Sequence, residues 1–342
     1  MLYTLFLSSF KALVFVSGIS LWYKKDMAIF TQIDDATLRT FLQNYDLGNI
    51  LKIEGIEAGS ENTNYKIDTI DSAYVLTIFE SRVNPADLPH IIEAVMTLED
   101  AALPVPHLVK CKQGKVLKQI EGKICLLQTF LKGDHTAFPT VEQSLNGGRL
   151  LAAMHYATED LTFPVKNRMG TADLHRLLEE IKTASKTVEL TEIFKTAQEE
   201  LSFLEHNPPS GLRKSMIHGD FFKDNVMMDG DDIIGVIDFW FACRENSIYD
   251  LALAINVWAF HEGEFLPEQC HAMIKGYNDN HPLTEAEKEA LPLELRRAAL
   301  RIMITRLYDT LTGKSVDIMR SKPVETWLGR LEFHQQKGIH IS

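Results

Sequence analysis

Residues 217–239 read IHGDFFKDNVMMDGDDIIGVIDF, and the fold turns on this stretch. Two apolar runs enclose Asp220, Asn225 and Asp238. A buried carboxylate without a partner is costly, and its usual partner is a cation or a metal. An Asp-rich surface hairpin turned at Asp229-Gly230 accounts for Asp229, Asp231 and Asp232, which are expected as solvated turn residues. It does not account for Asp238, which sits inside GVIDFWF. The stretch therefore reads as a hairpin that carries a metal and phosphate site.

The chain around it is 342 residues long, 45 % hydrophobic and 24 % charged, enough for two domains or one large two-lobed one. Its net charge of -12 argues against nucleic acid as a partner, because neutralising phosphates needs a basic surface. Cys111, Cys125, Cys243 and Cys270 form no CxxC pair, as expected of free thiols in a reducing cytoplasm. The histidines do not fall at zinc-ligand spacing. Residues 1–26 are mostly apolar, but Lys24 and Lys25 follow the apolar run where a signal peptide wants charge before it. Lys11 interrupts it as a membrane span. Residues 1–27 are therefore expected to be an upstream extension outside the fold, with Met27 as the true start and no membrane association.

From Ala28 a short helix is expected up to residue 48, with Asp34 or Asp35 as its N-cap. LKIEGIEAG, NYKIDT and AYVLTIF alternate as three antiparallel strands. DLPHIIEAVMTLEDAAL has helical spacing, and Pro104 and Pro106 stop it. VLKQI and KICLLQTFL read as a strand pair turned at Glu121-Gly122. After Gly133 helices dominate: GRLLAAMHYAT, TADLHRLLEEIKTA, TEIFKTAQEELSFLE, DLALAINVWAF and residues 284–311. The expected architecture is α+β: a small antiparallel-sheet N-lobe over residues 28–131 and a larger, mainly helical C-lobe over residues 132–342.

Phosphoryl transfer needs a carboxylate to take the hydroxyl proton, oxygen ligands for magnesium and a backbone cradle for phosphates. The kinase pattern H-R-D-x-x-x-x-N, hairpin, D-F-G supplies the first two. Here the order is His218-Gly219-Asp220, Asn225, a hairpin, then Asp238-Phe239-Trp240. Asp220 is expected to orient the attacking hydroxyl, Asn225 and Asp238 to ligate the metal, and His218 to brace the loop. AGSENTN, residues 58–64, is the candidate cradle through Gly59, Ser60, Asn62 and Thr63. Gln128, near the end of KICLLQTFL, joins them as a nucleotide-binding candidate. The strand lysine of V-A-I-K is absent, and Thr77 stands in its place. Lys66 and Arg82 are the nearest cations; Glu93 and Glu99 are the nearest counterparts of the glutamate such a lysine pairs with.

HGDxxxxN followed by IDF resembles the aminoglycoside phosphotransferase and choline kinase superfamily. EGIEAGSENTNY, YVLTIFE, GRLLAAMHYAT, GVIDFWFACRENSIYDLALAINVW and ALRIMITRLYD together resemble its bacterial homoserine kinases, from about residue 28 to the C-terminus. The resemblance implies a protein-kinase-like two-lobed fold, ATP and Mg2+ as cofactors, and L-homoserine as the small-molecule substrate in threonine biosynthesis. The family also reads VLT on the third strand. Asn256-Val257-Trp258 and Trp240 depart from its usual N-D-W segment and Tyr or Asn, near the expected substrate pocket. For the carboxylate of an amino acid, Arg244, Arg301 and Arg306 are the candidate cations. Asp250 is expected to tie the metal-bearing segment to the helix below it. Rival substrates leave their own signatures: Trp240, Phe241, Tyr249, Trp258 and Phe260 could form an aromatic cage for choline or equally be core, and Glu262 and Glu264 would suit an aminoglycoside. A nucleotide-binding pseudokinase is favoured only by the missing lysine.

Overall fold

Alternation in TNYKIDT sends Thr63, Tyr65, Ile67 and Thr69 inward and the residues between them outward. The same logic builds one antiparallel sheet in the order β1-β2-β3-β6-β4, with β5 also paired to β6. Its strands are β1 (Ile50–Ile56), β2 (Thr63–Thr69), β3 (Ala73–Ile78), β4 (Leu108–Val109), β5 (Lys118–Ile120) and β6 (Lys123–Thr129). The computed structural model describes residues 31–56, 62–80, 83–184, 188–312 and 324–339. The expectations for residues 1–27, Gly59, Ser60 and Arg82 lie outside the described residues.

Helix α1 (Asp35–Leu42) covers one face of the sheet. Asp34 is its N-cap, accepting the Thr37 amide at 2.9 Å. The helix ends sooner than its sequence pattern implied, because Tyr45 and Leu47 turn back into the same core as Leu38, Phe41 and Leu42. On the opposite face, register places Asn64 beside Thr77, Lys66 beside Val75, Val75 beside Gln128 and Thr77 beside Leu126. Leu126 belongs to a second, larger core shared with α2 (Leu88–Asp100) and with the helices that follow. That core therefore spans both lobes.

The C-lobe contains α3 (Val141–Ala157), α4 (Thr171–Ala184), α5 (Val188–His206), α6 (Ser247–Trp258), α7 (Pro267–Asn280), α8 (Glu285–Thr312) and α9 (Val324–Gln336). Every residue of α6 is buried, which makes it the central helix of the lobe. Helices α3 and α7 cross with their backbones in contact: a Cβ on Gly148 would lie 2.0 Å from the Met273 carbonyl oxygen, and one on Gly276 2.0 Å from that of Leu145. Short pairs complete the lobe: β7 (Lys214–Ile217) with β10 (Cys243–Asn246), β8 (Val226–Asp229) with β9 (Asp232–Val236), and β11 (Phe260–His261) with β12 (Glu264–Phe265).

Because Asp229 pairs with Asp232, the β8–β9 turn is Gly230-Asp231, one residue later than expected. Asp231 is also more than a solvated turn residue. Its carboxylate accepts the hydroxyl of Thr140 at 2.8 Å and its carbonyl accepts Asn146 at 3.1 Å, which ties the hairpin to the start of α3. All four cysteines are free and buried. No helix among the described residues is long and apolar enough to cross a membrane.

Gly148→Ala forces two backbones apart, and should cost about 3 kcal/mol or more in urea unfolding. Arg213 grips the buried carboxylate of Glu287 through two bonds, at 2.9 and 2.5 Å. Removing the guanidinium in Arg213→Ala strands that charge and should cost about 3 kcal/mol. Burial pushes the Glu287 carboxyl up, but the bonds from Arg213 and Thr284 outweigh it and hold it below its ordinary value. The pair should therefore stabilise fully at neutral pH, with its contribution fading as the pH drops below about 4.3. Unfolding of wild type and Arg213→Ala across that range checks both.

Candidate active site

Strand β7 delivers the chain to His218-Gly219-Asp220, and its pairing with β10 (Ile217 opposite Cys243) brings both ends of the 217–239 stretch together. A 3-10 turn at Lys223–Asn225 then positions Asn225, whose Nδ2 donates to the Asp220 carbonyl at 2.9 Å and to Asp220 Oδ2 at 3.0 Å. With its donor end committed to Asp220, the amide presents its carbonyl oxygen as the end a cation can meet. The Ile237 amide donates to the Asn225 carbonyl at 2.9 Å and fixes the next residue, Asp238. Asp238 has φ +68°, a left-handed conformation that carries a steric cost for a residue with a side chain. Asn225 and Asp238 offer oxygen ligands, the chemistry a hard divalent cation prefers. No group of three His, Cys, Asp or Glu suited to a metal occurs among the described residues. The expected ligands Asn225 and Asp238 are one amide and one carboxylate, so they do not make up such a group.

The loop is held from beneath by Asp250, on the first turn of α6. Its Oδ2 accepts the His218 amide at 2.7 Å and its Oδ1 the Gly219 amide at 3.0 Å. His155 Nε2 lies 3.1 Å from Oδ2, and His155 Nδ1 lies 2.8 Å from the Tyr277 hydroxyl. An ionised Asp250 can only accept, so His155 donates through Nε2 and Nδ1 accepts from Tyr277. Burial pushes the Asp250 carboxyl up, but the hydrogen bonds from His155 and from the amide of His218 outweigh it and leave it below its ordinary value. His218 is fully buried; burial lowers its pKa and keeps the ring neutral. Its Nε2 donates to the Ile237 carbonyl at 3.1 Å, and Nδ1 accepts the Asp220 amide at 3.2 Å. Gly219, at φ +73°, passes so close to Phe241 that a Cβ would sit 2.8 Å from its carbonyl oxygen.

Burial raises the Asp220 carboxyl above its ordinary value, and Arg301 pulls it back. Arg301 itself donates to the Gly219 carbonyl at 3.0 Å and lies over the Phe241 ring, so it braces the loop. Arg244 is exposed and donates to the Leu161 carbonyl at 3.3 Å. Arg306 lies close enough to Asp220 to act on it.

In the N-lobe, the side chains of Asn62 and Thr63 turn inward. Asn62 Oδ1 accepts the Glu80 amide at 3.3 Å, and the Thr63 hydroxyl donates to Glu80 Oε1 at 2.8 Å. Glu80 also pairs with Lys123 and accepts the hydroxyl of Thr31. Any contact of residues 62 and 63 with a phosphate is thereby left to the backbone. Thr77 donates its hydroxyl to Asn64 Oδ1 at 2.8 Å. Lys66 pairs with Asp68 at 2.9 Å and lies over the ring of Phe130. Glu99 pairs with His107 at 2.6 Å, and Glu93 is exposed.

The candidate cage aromatics are committed to structure. Trp240 packs edge-on against Phe79, Trp258 stacks on Phe221 and donates to its carbonyl at 3.0 Å, and Tyr249 lies under Arg297. Phe260 packs against Phe265, Phe333 and Arg330. Asn256, Val257 and Trp240 are buried too, so the departures from the family pattern fall in the core. Glu262 and Glu264 belong to the exposed β11–β12 turn.

Residues 52–286 match the model of a family described as phosphotransferase enzymes. A curated homoserine kinase of Brucella anthropi is 35% identical over 311 residues, covering 91% of this chain and 95% of its own length. One from Zymomonas mobilis is 35% identical, with 92% and 98% covered, and one from Methylobacterium radiotolerans 36%, with 91% and 97%. Among solved structures, an amicoumacin kinase with AMP-PNP and Ca2+ superposes with a TM-score of 0.69 at 16% identity, over 89% of this chain and 94% of that one. A microcompartment-associated aminopropanol kinase reaches 0.65 at 17% identity, over 88% and 97%. These neighbours share the two-lobed, protein-kinase-like fold.

Truncating Asp250 to alanine leaves two backbone donors and His155 without their acceptor. Urea unfolding of Asp250→Ala should show a loss of about 3–5 kcal/mol. Amide exchange at His218 and Gly219 should accelerate in the same variant, while α1, which packs in the separate smaller core, keeps its protection.

Proposed function

The chain belongs to the phosphotransferase enzyme family, and from that footing we propose that it is a homoserine kinase, moving the γ-phosphoryl group of ATP to the side-chain hydroxyl of L-homoserine. The observation that carries this reading is the likeness to homoserine kinases over more than nine-tenths of the chain. The product, O-phosphohomoserine, is an intermediate of threonine biosynthesis.

In this reading ATP lies in the cleft between residues 28–131 and 132–342. Asp220 accepts the hydroxyl proton and aims the oxygen for in-line attack. Its raised pKa, caused by burial, makes it a better base than an exposed aspartate. Asn225 and Asp238 would hold Mg2+, which when bound neutralises charge on the phosphates. Asp250, His218 and Arg301 keep Asp220 in place without touching substrate. Gln128, on the sheet face opposite α1, suits contact with the nucleotide base. The backbone of residues 59–63 suits the phosphates. Four free, buried thiols fit a cytoplasmic enzyme.

The test is ATP consumption with magnesium against L-homoserine, choline, methylthioribose and an aminoglycoside. Turnover confined to homoserine is expected; turnover with another of these alcohols instead would discard the substrate assignment. Asp220→Asn should lower kcat by about 10²- to 10⁴-fold while ATP affinity stays at the wild-type level. A variant that keeps near-wild-type turnover removes Asp220 from the role of base.

A further inference from the structure

An amino-acid substrate carries a carboxylate into the site, and a carboxylate taken out of water needs a cation with matching donors. Three arginines compete for this role, and their surroundings separate them. Arg244 is exposed and spends a donor on the Leu161 carbonyl. Arg301 is spent on the Gly219 carbonyl, and its guanidinium lies over the ring of Phe241. Arg306, on α8, differs from both. Its Nε is enclosed and has no hydrogen-bond partner among the described residues. The charged groups acting on it are Asp309, Asp220, Arg301 and Asp224, which places it beside the carboxylate that orients the hydroxyl.

The chemistry of the unpartnered atom narrows the ligand. A guanidinium binds two oxygens of one anion through a pair of parallel N–H groups, and Nε with one terminal nitrogen is such a pair. Burial also disfavours the charge of Arg306, so an anion that supplies the missing acceptor gains more here than at an exposed arginine. The shared chemistry is a pair of anionic oxygens, which a substrate carboxylate and a transferring phosphoryl group both carry.

We propose that Arg306 receives the α-carboxylate of the substrate through its Nε edge, and so separates homoserine from amino alcohols that lack a carboxylate. The inference rests on the homoserine reading of the same site. It makes Arg306 the specificity-determining residue of the three, and leaves Arg301 as a positioning residue.

The experiment compares L-homoserine with L-homoserine amide, which keeps the hydroxyl and the ammonium but replaces the carboxylate by a neutral group. Wild type should prefer homoserine in kcat/KM. Arg306→Gln should shrink that preference by roughly 10- to 100-fold, chiefly through the KM for homoserine, with the KM for ATP unmoved. Arg306→Lys keeps the charge without the planar fork, and should restore only part of the preference. It carries the same comparison should the glutamine variant fail to fold. Equal losses with both substrates, or a raised KM for ATP, overturn the inference and place Arg306 at the phosphoryl group or among the loop braces. A wild-type enzyme that turns over no homoserine overturns the functional reading instead.

Discussion

Asp250 accepts the backbone amides of His218 and Gly219 from within a helix whose every residue is buried, and the geometry of the site follows from that contact. The loop cannot drift, because α6 cannot. On its other side the Gly219 carbonyl receives Arg301 from α8, so one peptide segment is gripped through both its donors and its acceptor. His155 reaches the same carboxylate from α3 and is itself set by Tyr277 of α7. Those two helices lie close enough for this because two glycines let their backbones touch. A packing feature of two helices thus helps set the position of the loop that carries Asp220.

Two aspartates in one small region are driven in opposite directions. Asp250 has two backbone donors and a histidine, which more than offset its burial. Asp220 has burial as its largest influence, with Arg301 and Asn225 offsetting only part of it. Environments that push like groups apart assign them separate tasks. Asp250 is held toward its charged form within the core, and Asp220 toward its protonated one.

The loop and hairpin that carry Asp220, Asn225 and Asp238 were legible because the turn residues and apolar runs lie at short range. The strands were legible from period-two alternation, and the N-cap of α1 from a single aspartate. Partners of Asp250 were not, apart from the expectation that it ties loop to helix. His155 is 95 residues away from it in sequence, and Arg301 is 82 from Gly219, so no local pattern announces either. The AGSENTN loop reads as a backbone cradle, but that its polar side chains at Asn62 and Thr63 turn to Glu80 is not legible in the sequence. Composition fixes that a loop is polar, and tertiary partners decide which way it points. Likewise Trp240, Tyr249 and Trp258 suggested a cage, and aromatic clustering in sequence cannot tell a cage from a core. Helices α7 and α9 went unread because polar residues interrupt their apolar stripes.

The larger core does not respect the division between lobes. Leu88, Ile91, Val95 and Leu98 of α2 and Leu126 of the sheet share one apolar cluster with Leu151, Met154 and Trp240 of the C-lobe. The smaller core beneath α1 is separate. The division of the apolar contacts runs through the sheet itself, so amide exchange should open α1 and the strand face beneath it as one unit and α2 together with the helices of the C-lobe.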